Sequence, residues 1–259
     1  MSENNSLNTI INLIPNSLDN AATNLTDLPT KSIGQTLSDC WYLIFGSISQ
    51  AAEKRRIQYA SDLEKFKNEL TSSIESVPDE LRIEADSQIA LSALNNAKFC
   101  IEKEELRAMY VKLLTSSVDS RKIVHPSFSQ IILSMDCIDA VILKQFKDAP
   151  ILAVCDYNIY TSNETLANYN TYASNIFLSK PDTISLSDAS RSLDVLKRLG
   201  LIDIQNDVYI TDSNAYDGFK QTDIYHQLLT KYPEKLIYIQ EKIARLTNLG
   251  ESFIDCCLS

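Results

Sequence analysis

Apolar residues recur in alternating steps of three and four between residues 59 and 77, a spacing that places them on one face of a helix. The stripe consists of Tyr59, Leu63, Phe66, Leu70, Ile74 and Val77. No proline interrupts the chain from Lys31 to Ser76, whereas the ring of Pro78 disfavours a helical residue before it. The pattern predicts a long helix, and its stripe would serve either an intramolecular seam or self-association.

Two further patterns of helical period follow this long helix. Their apolar positions are Ile89, Ala90, Ala93, Leu94 and Ala97 in the first, and Leu106, Met109, Tyr110, Leu113 and Leu114 in the second. Pro126 then suits the first position of a new helix. Proline has no backbone N–H, and an N–H at that position would have no partner within the helix. We expect these helices to form an N-terminal helical bundle over residues 31–149. A flexible arm rich in Asn, Ser and Thr would precede it over residues 1–30.

The pattern changes beyond Pro150. Residues 151–160 predict a strand, and residues 157–175, with five Asn, predict an irregular insertion. Residues 186–199 have a helical apolar stripe, and Gly200 occupies the usual position of a glycine that ends a helix.

The residues after Gly200 predict a β-hairpin. Its strands would be Leu201–Ile204 and Val208–Ile210, around a turn at Gln205–Asp207. A helix near residues 215–230 would interrupt this wing, before strand-like residues at 236–239 and 243–246 and a closing helix at 248–257. The predicted fold class is therefore mainly α, in which a helical bundle with a long helix is followed by a winged-helix-like α+β domain over residues 150–259.

Composition narrows the classes of function. The chain has 24 Lys and Arg against 34 Asp and Glu, a net charge of -10, whereas proteins held to nucleic acid by phosphate contacts are usually basic. Only 5 glycines leave little room for a glycine-rich phosphate loop. The six cysteines are dispersed, and we interpret them as reduced thiols rather than metal ligands, the adjacent Cys256 and Cys257 included. We therefore expect a protein without cofactor or metal. The longest apolar run, residues 40–45, is too short to span a membrane, so we also expect the protein to be cytoplasmic.

Three stretches of sequence resemble a known family. The first is residues 105–114 with Asp119 and His125–Phe128, the second is Ser192 and Leu193 with residues 196–202, and the third is Leu246, Thr247, Gly250, Phe253 and Cys256. The three stretches are similar to the Abi-alpha abortive-infection family, and the resemblance covers most of the chain from about residue 33 to the end. The resemblance implies a role in bacterial defence against phage, in which the infected cell halts or dies before progeny emerge. It supplies no catalytic residues.

Five residues of the first stretch are candidates for a functional site: Glu105, Arg107, Tyr110, Asp119 and His125. His125 is one of only two histidines and has a possible acid partner in Asp119, as general acid–base catalysis requires. The alternative is structural: His125 would brace the turn before Pro126, and Arg107 would pair with a carboxylate beside a half-buried Tyr110. We favour the structural alternative, and therefore a protein that is not an enzyme.

Basic residues near the predicted wing are candidates for DNA binding: Arg191, Lys197 and Arg198. Acidic residues nevertheless outnumber basic ones between Lys180 and Lys220, so a surface that faces phosphates is not evident. Lys197 and Arg198 can equally be the solvated edge of the helix.

An apolar segment precedes a basic cluster within residues 33–56. Its large side chains include Trp41, Tyr42 and Phe45, and the basic residues are Lys54, Arg55 and Arg56. Such a segment could lie on a membrane surface, but a core helix of the bundle has the same pattern, and we favour the core helix.

Our leading hypothesis is an anti-phage defence protein that acts through macromolecular recognition. Its partner would be a protein, either a phage or host component or a second copy of the chain. The alternatives are a winged-helix DNA-binding regulator, and a membrane-active effector or an enzyme centred on His125.

Overall fold

The computed structural model describes residues 34–45, 53–160, 168–180, 182–212 and 214–258, with side chains from residue 58 onward in the second range. The arm predicted for residues 1–30 lies outside the described residues. Contacts within the chain divide it into two compact units. One, here called the helical unit, ends at Ser134, and the other, the sheet unit, comprises Met135–Leu258.

The helical unit contains five α-helices among its described residues. They are α1 (Gln35–Phe45), α2 (Glu53–Glu75), α3 (Ser87–Ala97), α4 (Glu104–Ser117) and α5 (Phe128–Leu133), with a short 3-10 helix at Asp79–Leu81. Helix α2 is the long helix that the stripe predicts, and it ends before Pro78. Helix α3 packs against α1, α4 and α5, and α4 packs against α2.

The stripe of α2 forms a buried seam within the chain. Leu63, Phe66, Leu70, Ile74 and Val77 are all buried, and Tyr59 is half-buried. The ring of Phe66 stacks on Trp41 with centroids 5.6 Å apart, and Trp41 lies 4.6 Å from Phe45. Helix α1 therefore contributes its aromatic side chains to the core of the helical unit.

The sheet unit is built around four antiparallel strands in the order β2-β1-β4-β3. Its elements are α6 (Cys137–Asp148), β1 (Ile151–Tyr160), β2 (Tyr169–Ile176), α7 (Leu186–Arg198), β3 (Ile202–Gln205), α8 (Asp223–Lys231), β4 (Ile237–Leu246) and α9 (Asn248–Cys257), with a 3-10 helix at Asp217–Gln221. The described part of the chain is thus mainly helical with one four-stranded sheet. None of the described helices is both long and apolar enough to cross a membrane.

The predicted hairpin at residues 201–210 is wrong. Strand β3 pairs with β4, where Ile202 lies opposite Leu246, and residues 208–210 form no strand. Val208 and Tyr209 are exposed and bury no face. The backbone N–H of Ile210 instead donates to a tyrosine hydroxyl, that of Tyr216, at 3.1 Å.

The chain from residue 237 to 246 is one continuous strand, not the two short runs that the sequence predicts. The polar residues in its middle interrupt the apolar pattern, but Lys242 is only 4% exposed and pairs with Asp156 of β1. The predicted irregular insertion at residues 157–175 is also wrong at both ends, because β1 continues to Tyr160 and β2 begins at Tyr169. Strand β2 is an edge strand with most of its residues exposed, which accommodates its Asn and Thr.

The helices before β3 and after β4 are as predicted. Helix α7 ends beside Gly200, whose φ of 75° is favourable for glycine. Helix α9 begins after Thr247, whose hydroxyl accepts from the N–H of Gly250 at 3.0 Å. A Cβ at Gly250 would overlap the backbone of Leu201, so this glycine permits close packing of α9 on the start of β3.

Candidate functional site

Arg107 is anchored inside the helical unit. Its guanidinium group donates to both carboxylate oxygens of Glu69 at 3.0–3.2 Å and to the carbonyl of Ile101 at 2.9 Å. The hydrogen bonds that Arg107 donates to Glu69 raise the pKa of Arg107 above its ordinary value. The pair links α2 to α4, which is a structural role.

Tyr110 is fully buried, and its hydroxyl donates to the carbonyl of Ser129 at 2.9 Å. That bond fastens α4 to α5. Glu105, one and a half turns away, is exposed. The structure therefore does not bring Glu105, Arg107 and Tyr110 into one polar cluster.

Asp119 and His125 have different partners. Asp119 is buried and accepts from the backbone N–H of Arg121 at 3.0 Å and from its guanidinium at 2.7 Å. These contacts hold the pKa of Asp119 below its usual range. His125 is exposed; its Nδ1 lies 2.7 Å from the hydroxyl of Ser127 and accepts from the Ser127 N–H at 3.2 Å. Each residue closes its own turn, and the structure places no hydrogen bond between them within residues 53–160.

The three basic candidates of α7 lie in an acidic setting. Arg191 forms ion pairs with Asp188 at 3.1 Å and with Asp136 at 3.6 Å. Lys197 and Arg198 are exposed in the last turn, where positive charge is favourable for the helix dipole.

The sheet unit contains a buried ion pair that the sequence did not predict. The ammonium group of Lys242 donates to Asp156 Oδ1 at 2.9 Å and to Asn175 Oδ1 at 2.8 Å. Asn175 has a φ of 53°, which asparagine tolerates, and its own N–H donates to Asp156 at 2.8 Å. Its amide group donates to Asp194 of α7 at 2.8 Å. The network ties β1, β2, β4 and α7 together.

Strand register determines which residues follow this network along the same face of the sheet. Residues that lie opposite each other in antiparallel strands share a face. Gln240 pairs with Asp156 and Tyr238 pairs with Asn158, so both lie on the face of the network. The amide of Asn158 donates to Gln240 Oε1 at 3.0 Å. Beyond it, the ring of Tyr160 lies 5.9 Å from Tyr169 and 6.0 Å from Tyr238.

The opposite face of the sheet is apolar. Its buried cluster contains Cys155, Tyr157, Ile159, Ile176, Tyr216, Phe219, Leu228 and Ile237. The hydroxyl of Tyr157 donates to the carbonyl of Phe219 at 2.6 Å, and burial raises the pKa of Tyr157. This face is closed by α8 and the 3-10 helix before it.

An open cavity of about 310 Å³ lies at the end of the polar face, and we call it the tyrosine-lined cavity. It is lined by Tyr169, Asn206, Asp207, Tyr209, Tyr238, Gln240 and Glu241. The three tyrosines are 47%, 58% and 46% exposed, in chain order. Strand β3 ends at Gln205 and pairs only with Ile243–Leu246, so among the described residues the part of β4 beside the cavity pairs with β1 alone.

Sequence reasoning missed this cavity, because its tyrosines come from β2, β4 and the segment after β3. The exposed aromatic and acidic residues of residues 206–209 were the available signal, and they were assigned to a turn and a strand.

The described cysteines are free, and five of the six are buried. Burial raises the pKa of the Cys257 thiol well above its usual range, which keeps it protonated. Within the described residues, no group of three or more His, Cys, Asp or Glu side chains is placed to hold a metal ion.

Comparison with protein families finds a match. The family model "Abortive infection alpha" matches residues 58–257, well over half of the 259 residues. Comparison with curated proteins and with solved structures finds no match.

Proposed function

The chain belongs to the Abortive infection alpha family, and from this premise we propose that it defends bacteria against phage by recognising another macromolecule. The family match supports the biological role. The recognition mechanism is supported by a contrast between polar side chains that bond within the fold and polar side chains that face solvent. Arg107, Tyr110 and Asp119 all bond within the fold, whereas the tyrosine-lined cavity presents aromatic and acidic side chains to solvent.

Recognition sites and catalytic sites place different demands on side chains. A general base needs a hydrogen-bonded partner that tunes its proton affinity. His125 is bonded to Ser127 in its own turn, and Asp119 is bonded to Arg121. Aromatic residues exposed around a concave surface are instead typical of binding sites, where they supply contact area at low entropic cost.

We also propose an architecture for each of the two units. The helical unit would be a bundle arranged around α2, and α7, β3 and β4 would form a winged-helix-like core. In that interpretation β3 and β4 are the two strands of the wing, and residues 206–236 are a long insertion between them. Such a core supports the DNA-binding alternative, but the ion pairs of Arg191 with Asp136 and Asp188 weaken it, because phosphates would meet the same carboxylates.

Expression in a phage-sensitive bacterial host tests the biological role. Plaque counts for a broad panel of phages should fall in cells that carry the intact chain, and cell growth should halt on infection. Protection against none of the phages would contradict the proposal.

A mobility-shift assay distinguishes the DNA-binding alternative. Charge reversal of Lys197 and Arg198 removes the exposed basic residues in the last turn of α7 without touching a buried contact. We expect weak or no DNA binding at physiological salt with or without the reversal. Tight binding that the reversal abolishes would favour the DNA-binding regulator.

A further inference from the structure

The tyrosine-lined cavity has the composition of a site for a positively charged organic group. Tyr169, Tyr209 and Tyr238 contribute aromatic rings, whose faces attract cations. Asp207 adds a carboxylate, and no Lys, Arg or His is among the described residues that line the cavity. Glu241 also lines the cavity, but it pairs with Cys155 and so belongs to the opposite face of the sheet. An anionic ligand would be repelled here, whereas a cation gains both interactions.

The nearest lysine on this face does not cancel the negative charge of the cavity. Lys242 lies two residues beyond Gln240, and its ammonium group is buried against Asp156 and Asn175. The pair is neutral as a whole, so it does not offset the negative charge of Asp207 at the cavity.

The carboxylate of Asp207, which is exposed, supplies hydrogen-bond acceptors and no donor at the cavity. Gln240 Oε1 already accepts from Asn158, and Asn158 Oδ1 behind it is fully buried with no partner among the described residues. Ammonium and guanidinium groups have several donors and no acceptor. Their chemistry is therefore complementary to this surface.

The size of the cavity limits the ligand. A volume of about 310 Å³ is at the lower end of the range for small-molecule sites, so the cavity suits one long side chain or a small amine rather than a nucleotide. The adjacent part of β4, Ile237–Lys242, pairs with β1 alone among the described strands. The carbonyl of Lys242 already accepts from the Tyr216 hydroxyl at 2.8 Å, so an extended peptide would add its backbone hydrogen bonds to the part of β4 before Lys242, as in β-strand addition.

We propose that the tyrosine-lined cavity binds an organic cation, the ammonium or guanidinium group of a basic side chain in an extended segment of a protein partner. This inference takes its biological meaning from the proposed function, since it names the chemistry of the partner. Binding is measured on purified protein, so a failure to bind and a failure to protect cells are separate results.

Isothermal titration calorimetry of the full chain with four probes tests the ligand chemistry. The probes are a short lysine-rich peptide, an arginine-rich peptide of the same length, spermidine, and a peptide in which norleucine replaces each lysine. We expect the cationic peptides to bind and the norleucine peptide not to bind. Binding of spermidine as tightly as the peptides would assign the site to free amines, whereas preference for the peptides would assign it to a protein partner.

Two variants test whether the tyrosine-lined cavity is the binding site. Tyr238→Leu removes one exposed ring and Asp207→Asn removes one carboxylate, and each should weaken binding of the lysine-rich peptide about tenfold. Tyr42→Leu, at an exposed tyrosine of α1, and Asp182→Asn, at an exposed aspartate, are the matched controls and should leave binding unchanged. All four positions are exposed or line the open cavity, so circular dichroism should show intact folds. Absence of binding by every cation, or equal binding by the cavity variants and their controls, would overturn the proposal.

Discussion

The two units use polar side chains in different ways. In the helical unit, the polar residues of the block at 105–128 pair within the unit, as Arg107 does with Glu69, and these pairs hold helices and turns together. The polar residues of the sheet unit follow one face of the sheet, from the buried Lys242 to the exposed Tyr238. The helical unit therefore shows how a distinctive sequence block can be structural. In the sheet unit, the tyrosine-lined cavity lies on the polar face, beyond the network of Lys242.

The largest expected effect concerns the seam of the helical unit. Phe66→Ala removes a buried ring that stacks on Trp41, and it should lower the free energy of unfolding by about 3–5 kcal/mol. Glu64→Ala on the exposed side of α2 is the matched control and should change it by less than about 0.5 kcal/mol. Lys65 is not suitable as a control, because it forms an ion pair with the buried Asp62 at 3.1 Å. Urea denaturation measures both variants, and equal effects would contradict the helical register.

Lys242 gives the corresponding test for the sheet unit. Lys242→Met keeps the length of the side chain but leaves Asp156 and Asn175 without its ammonium group, which should cost about 3 kcal/mol. Lys144→Met, at an exposed lysine of α6, should be nearly neutral. The double variant Lys242→Met, Asp156→Asn should recover part of the loss, because no unpaired charge is then buried. Denaturation of a double-mutant cycle measures this coupling, and strictly additive losses would mean that the pair contributes nothing to the sheet.

The seam and the ion pair also differ in how well sequence predicts them. The stripe of α2 is a local pattern, so its period revealed both the helix and its buried face. The partners Lys242 and Asp156 are 86 residues apart, and a lysine in an apolar run suggested a break in the strand rather than a buried pair. The cavity was not predictable for the same reason: Tyr169 and Tyr238 meet only because both neighbour Tyr160 across strand registers that sequence period does not reveal.

A smaller effect should follow from the polar contact between α2 and α4. Glu69→Ala leaves the buried guanidinium of Arg107 with only the carbonyl of Ile101 among the partners described above, and it should cost about 1–3 kcal/mol. Glu69 is itself partly exposed, so the loss should be smaller than for Lys242. Lys112→Ala on the exposed face of α4 is the control. Thermal melts compare the two, and an unaffected Glu69→Ala would show that the contact is not structural.

The smallest expected effect is a change in the pH dependence of stability. Arg121 lowers the pKa of Asp119 in the folded protein. The contribution of Asp119 to the free energy of unfolding is therefore present above about pH 4 and is lost as the pH falls through the folded pKa. The pKa of Asp139 is raised, chiefly because this residue is buried. The contribution of Asp139 to the free energy of unfolding therefore depends on pH in the opposite direction and is lost as the pH rises through the folded pKa. Asp119→Asn should therefore reduce the loss of stability on acidification, and Asp139→Asn should increase it.

Urea denaturation between pH 3 and pH 7 would measure these slopes, and Glu80→Gln at an exposed position provides the control. Slopes that change in the same direction in both aspartate variants would contradict the assignment of the two carboxyl groups.

The central claim is that recognition by the sheet unit, and not chemistry at His125, protects the host. Plaque counts would be compared for cells that express the intact chain, the double variant Tyr238→Leu, Asp207→Asn, or His125→Ala, with Tyr42→Leu as the surface control. Circular dichroism and soluble protein levels would confirm that all of them fold. We predict that the double variant loses protection while His125→Ala and Tyr42→Leu keep it. Loss of protection in His125→Ala together with full protection by the double variant would contradict the account.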